Sequence, residues 1–154
     1  MGIALQLRDD TLEGDLLRSG GPGAGRILDD EGLTTMATIA LFSDAPARDG
    51  DGVPEGERRG WWADAYRQDT SENPLGSRLW LLKRAKQTTE TLRKAEDFAL
   101  EALEFMTPPS LGIAKSVEAA ASWLRSGVML LEVAVTRPDG RRWHQKWEAQ
   151  LGKN

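Results

Sequence analysis

The chain has 154 residues, of which 40% are hydrophobic and 29% are charged, a balance typical of one globular domain over residues 1–154. It has no cysteine and one histidine, which excludes disulfides, thiol nucleophiles and any metal site that needs two histidines from one copy. No apolar run is long enough to span a membrane, and the first residues do not form a signal-peptide pattern.

The net charge of −4 is unevenly distributed along the chain. Residues 1–57 contain twelve acidic and four basic residues, whereas residues 58–154 contain twelve acidic and sixteen basic residues. The basic half alone would suggest nucleic-acid binding, but the acidic half argues against it, and we expect no nucleic-acid partner. The segregation favours either contact with neighbours of opposite potential or a solvated surface that has no partner.

The first part of the chain predicts a hairpin, a helix and a long loop. Apolar and polar residues alternate over residues 3–7, and residues 11–17 are predicted to return as a second short strand. Residues 33–43 contain β-branched residues typical of a strand, but their apolar residues recur at helical spacing, and we choose a helix. Residues 43–60 form a loop, and loops of this length in compact domains are usually functional or disordered.

Two further helices and three strands are predicted after this loop. Leucines at helical spacing over residues 75–82 indicate a helix that begins near Asn73-Pro74 or with Ser77 as its N-cap. Residues 88–106 carry the clearest helical pattern, and prolines end it. Alternating residues and turn signals predict strands at 117–123, 128–136 and 141–149. The predicted fold class is therefore α+β, with a short N-terminal hairpin, three helices and a C-terminal three-stranded antiparallel meander.

Two short motifs and the single histidine do not meet the requirements of a phosphate loop, a calcium loop or a catalytic base. The glycines of residues 21–25 are spaced like a phosphate loop, but no Gly-Lys-Ser/Thr follows. The Asp-Gly repeat at residues 49–52 resembles a calcium loop, but Val-Pro follows where such a loop needs Asp or Asn and then glycine. His144 lies between basic residues on a predicted strand, which favours an exposed or interface histidine over a catalytic base. We predict no cofactor, no metal site and no catalytic residue.

An enzyme is the alternative from a different class. Carboxylates at Asp64, Asp69 and Glu72 closely follow two tryptophans. Glycosidases use two carboxyl groups beside the sugar, and tryptophans are common sugar platforms. A peptidoglycan hydrolase that uses Asp64 or Glu72 is therefore the alternative function.

Residues 56–82 combine adjacent arginines, adjacent tryptophans and a second Arg-Leu-Trp unit. Arginine and tryptophan are enriched at binding hot spots, because they combine a large contact area with planar polar recognition. The other interpretation is structural, with tryptophans as core anchors and arginines bound to buried carbonyls, and both interpretations can hold in one rigid loop. The candidate protein-interaction residues are Arg58, Arg59, Trp61, Trp62, Arg78 and Trp80.

Three motifs carry a family resemblance: RRGWWAD at residues 58–64, GSRLWLL at 76–82 and TRPDG at 136–140. With them, the sequence resembles the baseplate wedge family of Mu-like phages, over nearly the whole chain. The resemblance implies a structural component of a contractile tail that joins wedge subunits and helps to initiate the sheath. A free-standing binding adaptor is a third possibility.

The resemblance also implies partners and a location. The partners would be other baseplate wedge proteins and tail sheath or tube subunits, with several copies of the chain in a ring-symmetric assembly. The location would be the tail baseplate of the virion, after assembly in the host cytoplasm. In such a ring, many modest interfaces reinforce one another through effective concentration.

Overall fold

The computed structural model of the chain describes residues 5–7, 14–16, 32–57, 59–60, 75–108 and 112–151. The chain divides into two compact units, Met1–Ile39 and Ala40–Asn154. The boundary falls within helix α1, Leu33–Phe42. Among the described residues, no helix has both the length and the apolar character that a bilayer crossing requires.

The first unit contains the predicted hairpin and the start of α1. Strand β1, Leu5–Leu7, pairs antiparallel with strand β2, Gly14–Leu16. α1 confirms the choice of helix over strand for residues 33–43. The helix forms because one face of it buries apolar residues at helical spacing, which outweighs the strand preference of its threonines. These buried residues are Leu33, Ala37, Ala40 and Leu41.

The second unit is built on the predicted meander. Strands β3, Ser116–Arg125, β4, Val128–Thr136, and β5, Arg142–Gln150, form an antiparallel sheet in the order β3-β4-β5. The β4–β5 connection is the predicted turn, in which Gly140 donates its N–H to the carbonyl of Arg137 at 3.0 Å. The fold class predicted from the sequence is confirmed.

Alternation along the strands gives the sheet one buried face. In the central strand β4, every second side chain is buried, and the paired positions on β3 and β5 carry apolar residues such as Ala121 and Trp147. The opposite face carries ion pairs between strands, such as Lys146 with Glu132. The buried side chains on this face of β4 are Met129, Leu131, Val133 and Val135, and Val128 at the start of the strand is buried as well.

Helix α2, Thr89–Leu103, packs against β3 and β4. It begins at Thr88, whose hydroxyl accepts the backbone N–H of Thr91 at 3.2 Å. One face of α2 buries small and apolar side chains at helical spacing, which lets the helix approach the sheet closely. The core cluster here consists of Leu82, Ala95, Met129 and Leu151.

The helix predicted over residues 75–82 is shorter and tighter than expected. It is a 3₁₀ helix over Leu79–Arg84. Two short 3₁₀ turns are also described: Glu55–Glu57 lies in the loop, and Glu104–Met106 continues α2. The predicted N-cap, Ser77, forms instead a parallel bridge with Asp44. Arg78 occupies the N-cap position, and the Ser77 hydroxyl accepts the N–H of Leu79, the first residue of the 3₁₀ helix, at 3.2 Å.

Candidate functional site

The predicted interaction residues separate into two groups. Arg59, Arg78 and Trp80 lie in described parts of the second unit, and the structure brings all three to one loop, residues 43–60. The remaining predicted residues lie outside the described residues: Arg58, Trp61 and Trp62 from the interaction set, and Asp64 and Glu72 from the hydrolase alternative.

A short bridge attaches the beginning of this loop to the segment before the 3₁₀ helix. Ser77 donates its N–H to the carbonyl of Ser43 at 2.9 Å, and Ala45 donates its N–H to the carbonyl of Ser77 at 2.9 Å. The Ser77 hydroxyl donates to the carbonyl of Leu41 at 2.5 Å, which satisfies one of the last carbonyls of α1.

Gly76 is required for this bridge. Its φ is +111°, and a Cβ placed on it would lie 2.5 Å from the Ser43 carbonyl oxygen and 2.9 Å from the Ala45 nitrogen. The two backbones can therefore approach each other only where one residue has no side chain.

Trp80 connects the loop to the 3₁₀ helix. Its indole N–H donates to the Ala45 carbonyl at 2.8 Å, and its ring lies 4.6 Å from the Arg59 guanidinium carbon. This distance is typical of a cation–π contact. The motifs RRGWWAD and GSRLWLL, which are separate in the sequence, therefore meet where Arg59 contacts the Trp80 indole.

Arg59 is held in place at a cost to its backbone. Its Nη1 donates to Asp44 Oδ2 at 2.7 Å, and the side chains remain 48% and 40% exposed respectively. Its φ is +53°, and it is the sole non-glycine residue of the described chain with a positive φ. We call the surface formed by Asp44, Arg59 and Trp80 the Arg59 surface.

Arg78 lies beneath the loop and not on its exterior. Its side chain is 12% exposed; Nη1 donates to both carboxylate oxygens of Asp51, at 2.9 and 3.1 Å, and Nη2 donates to Glu101 Oε2 at 2.7 Å. The guanidinium also lies 4.5 Å from the centroid of Phe98. Arg48 completes a ring of charges, because its backbone N–H donates to Asp51 at 2.8 Å and its side chain pairs with Glu101 at 2.7 Å.

The ring shifts the pKa of two of its members, Asp51 and Arg78. Burial raises the pKa of Asp51, but hydrogen bonds from the Arg48 backbone and the Arg78 guanidinium lower it by more, so the pKa lies below its usual range. Burial lowers the pKa of Arg78, and its hydrogen bonds to Glu101 and Asp51 raise it by more. Asp51 and Arg78 are therefore both charged at neutral pH.

Sequence reasoning missed Asp44, Arg48, Asp51 and Glu101. Asp51 belongs to the Asp-Gly repeat that resembles a calcium loop, and its carboxylate binds arginine in this structure. In the ranges that the structure describes, no group of three or more acidic residues or histidine is placed to hold a metal ion. His144 is exposed on β5. The arrangement presents an arginine on an indole.

Comparison with known proteins identifies the family. Residues 33–142 match the family described as phage protein GP46. The chain belongs to this family. It is 45% identical over 116 residues to "Baseplate protein gp46" of Escherichia phage Mu, and the aligned residues cover 74% of this chain and 76% of that protein.

A second relative agrees with the first. The chain is 41% identical over 128 residues to "Mu-like prophage FluMu protein gp46" of Haemophilus influenzae, which covers 83% of this chain and 82% of that protein. The resemblance to a Mu-like baseplate protein is therefore confirmed. The segment that matches the GP46 family contains the bridge, the Arg59 surface and the charge ring.

Proposed function

We propose that this GP46-family chain is a structural component of a phage tail baseplate. The observation that supports this most directly is the 45% identity, over about three quarters of both chains, to a protein named for the baseplate of phage Mu. In this role the chain acts by binding other subunits and has no catalytic residue. The virion tail baseplate is its final location, and assembly takes place in the host cytoplasm.

The finer role follows from the family resemblance. The chain joins wedge subunits and helps to initiate the sheath, so that its partners are other wedge proteins and sheath or tube subunits. Several copies act in a ring, which multiplies modest interfaces through effective concentration. In this assembly residues 1–154 act as a single domain.

The Arg59 surface supports a contact role for part of the predicted set. Arg59 and Trp80 combine partial exposure with fixed positions, because Asp44 and the Ala45 carbonyl hold them. A side chain that is already ordered loses little entropy when a partner binds. Arg58, Trp61 and Trp62 adjoin this surface in sequence and belong to the same proposed contact.

The proposal is tested by charge reversal of Arg58 and Arg59 to glutamate in a complementation assay for tail assembly. We expect loss of assembled baseplates, while the circular dichroism of the purified chain stays unchanged. The matched control reverses Arg93, which is exposed on α2 and belongs to none of the predicted contact residues. Normal assembly by the double variant would refute the site assignment, and absence of the wild-type chain from particles would favour the free-standing adaptor.

A turnover assay on purified peptidoglycan separates the structural role from the hydrolase alternative. We expect no release of soluble fragments by the wild-type chain. Release that Asp64→Asn or Glu72→Gln abolishes, without unfolding the chain, would refute the non-enzymatic role.

A further inference from the structure

We infer that Arg78 is a positioning residue: it does not touch the partner subunit, and it holds the loop that carries the Arg59 surface in its docking conformation. This inference rests on the proposed function, because the role assigned to the loop is contact with a partner. It also assigns different roles to two arginines that look equivalent in the sequence: Arg59 contacts the partner, and Arg78 positions the loop.

The burial of Arg78 places it inside the protein. Its side chain is 12% exposed, against 48% for Arg59, and its cation faces Phe98 and two carboxylates. A partner could reach this guanidinium only by displacing the loop. Its Nε is also buried and has no hydrogen-bond partner within the described chain, which is a cost that a residue selected only for surface contact would not carry.

The carboxylates that Arg78 joins come from elements distant in the chain. Asp51 lies in the loop and Glu101 lies in α2, and each nitrogen at the end of the guanidinium binds a different one of them. The planar fork of arginine suits this arrangement, whereas a lysine ammonium is a single point charge. Arg48 binds the same two carboxylates from the loop side, so the charges are balanced around a closed ring.

The same residues connect the ring to the Arg59 surface. Ser77, the neighbour of Arg78, forms the bridge with Asp44, and Asp44 binds Arg59. Trp80 follows two residues after Arg78 and binds the Ala45 carbonyl. The loop is therefore attached near Asp44 by the bridge and near Asp51 by the ring, and release of the ring frees one of these two attachments.

Hydrogen exchange on the purified full chain, measured residue by residue, tests the inference. In Arg78→Lys and Asp51→Asn we expect the protection of the backbone amide at position 51, which donates to the Arg48 carbonyl, to fall by about tenfold or more, as for a segment that opens locally. Protection is taken relative to the intrinsic exchange rate of the residue present at that position. The amide of Val133 in β4 should keep its protection. Arg93→Lys is the matched control and should change neither.

The same variants are then scored for incorporation into tails. We expect Arg78→Lys to open the loop and reduce incorporation, and Arg59→Gly to reduce incorporation with the Asp51 amide still protected. An amide at position 51 that stays protected in both Arg78→Lys and Asp51→Asn would overturn the positioning role, as would an equal loss of protection at Val133. An opened loop with normal incorporation would contradict the proposed docking role of this surface and leave the exchange result for Arg78 standing.

Discussion

Substitution of Arg59 tests whether its left-handed backbone stores strain. At φ of +53° an L-residue costs about 1–2 kcal/mol. Glycine removes this cost but loses about 0.5–1 kcal/mol through its freedom in the unfolded chain. It also loses a half-exposed ion pair, worth about 0.2–1 kcal/mol, and a cation–π contact, worth about 0.5–1 kcal/mol at an exposed site. The gains and losses nearly cancel, so we expect Arg59→Gly to unfold with a free energy within about 1 kcal/mol of wild type.

Arg59→Ala makes the test sharper, because it loses the same contacts and keeps the strain. We therefore expect the alanine variant to be less stable than the glycine variant by about 0.5–1 kcal/mol. Arg93 is the matched control, since it is an exposed residue within α2. There the order should reverse, with glycine less stable than alanine by about 1 kcal/mol, as in an ordinary helix.

Urea denaturation followed by tryptophan fluorescence measures the free energy of unfolding of all four variants by linear extrapolation. The informative quantity is the difference between glycine and alanine at each position, because the lost side-chain contacts are common to both. If Arg59→Ala is at least as stable as Arg59→Gly while the Arg93 pair keeps its normal order, the backbone strain at Arg59 is no larger than the roughly 0.5–1 kcal/mol that glycine loses through its freedom in the unfolded chain, and the cost assigned above is refuted.

Three further predictions concern the bridge, the core and the ring. Gly76→Ala should destabilise the chain by at least about 2 kcal/mol, because the new Cβ adds left-handed strain and a clash with Ser43; an unchanged denaturation midpoint would contradict the close approach. Met129→Ala should cost about 2–5 kcal/mol in the same assay, and a cost below about 1 kcal/mol would mean that the cluster is not a packed core. The pKa of Asp51 is lower in the folded chain than in the unfolded chain, so the stability that its carboxylate contributes is present above the unfolded pKa and is lost as pH falls through the folded pKa, below about pH 4. Asp51→Asn should therefore flatten this part of the curve of unfolding free energy against pH, measured by urea denaturation. A curve that the substitution leaves unaltered would refute the role assigned to Asp51.

Local patterns were sufficient for most of the fold. The alternation from Val128 to Thr136 predicts a strand buried on one face, and β4 is such a strand. The helical spacing over residues 88–106 predicts α2 correctly, because its small and apolar residues recur on a single face of the helix, which is the face that is buried. The exception is the segment before the 3₁₀ helix, where Ser77 pairs with Asp44, a residue 33 positions earlier in the chain. No local pattern contains that information.

The site was predictable as a set of residue types but not as a geometry. Composition singles out the arginines and tryptophans, since these residues dominate docking surfaces. It does not distinguish Arg59 from Arg78, because burial depends on where the loop folds back. The carboxylates Asp51 and Glu101, which make this distinction, look like ordinary surface acids in the sequence. A buried arginine needs such partners, and only the folded chain shows which acids supply them.

The charge ring and the bridge explain how a long loop could contact a partner subunit, as we propose, without a large loss of conformational entropy on docking. Ordering one residue costs about 1–2 kcal/mol, so a free loop over residues 43–60 would consume much of the binding energy of one modest interface. In this fold the chain meets most of that cost when it folds, because Gly76 admits the bridge and Arg78 holds Asp51 and Glu101 together. The strained Arg59 then occupies a fixed position on Trp80 before any partner arrives. In the symmetric assembly that we propose, several copies of a loop ordered in this way would combine weak contacts into a stable whole through effective concentration.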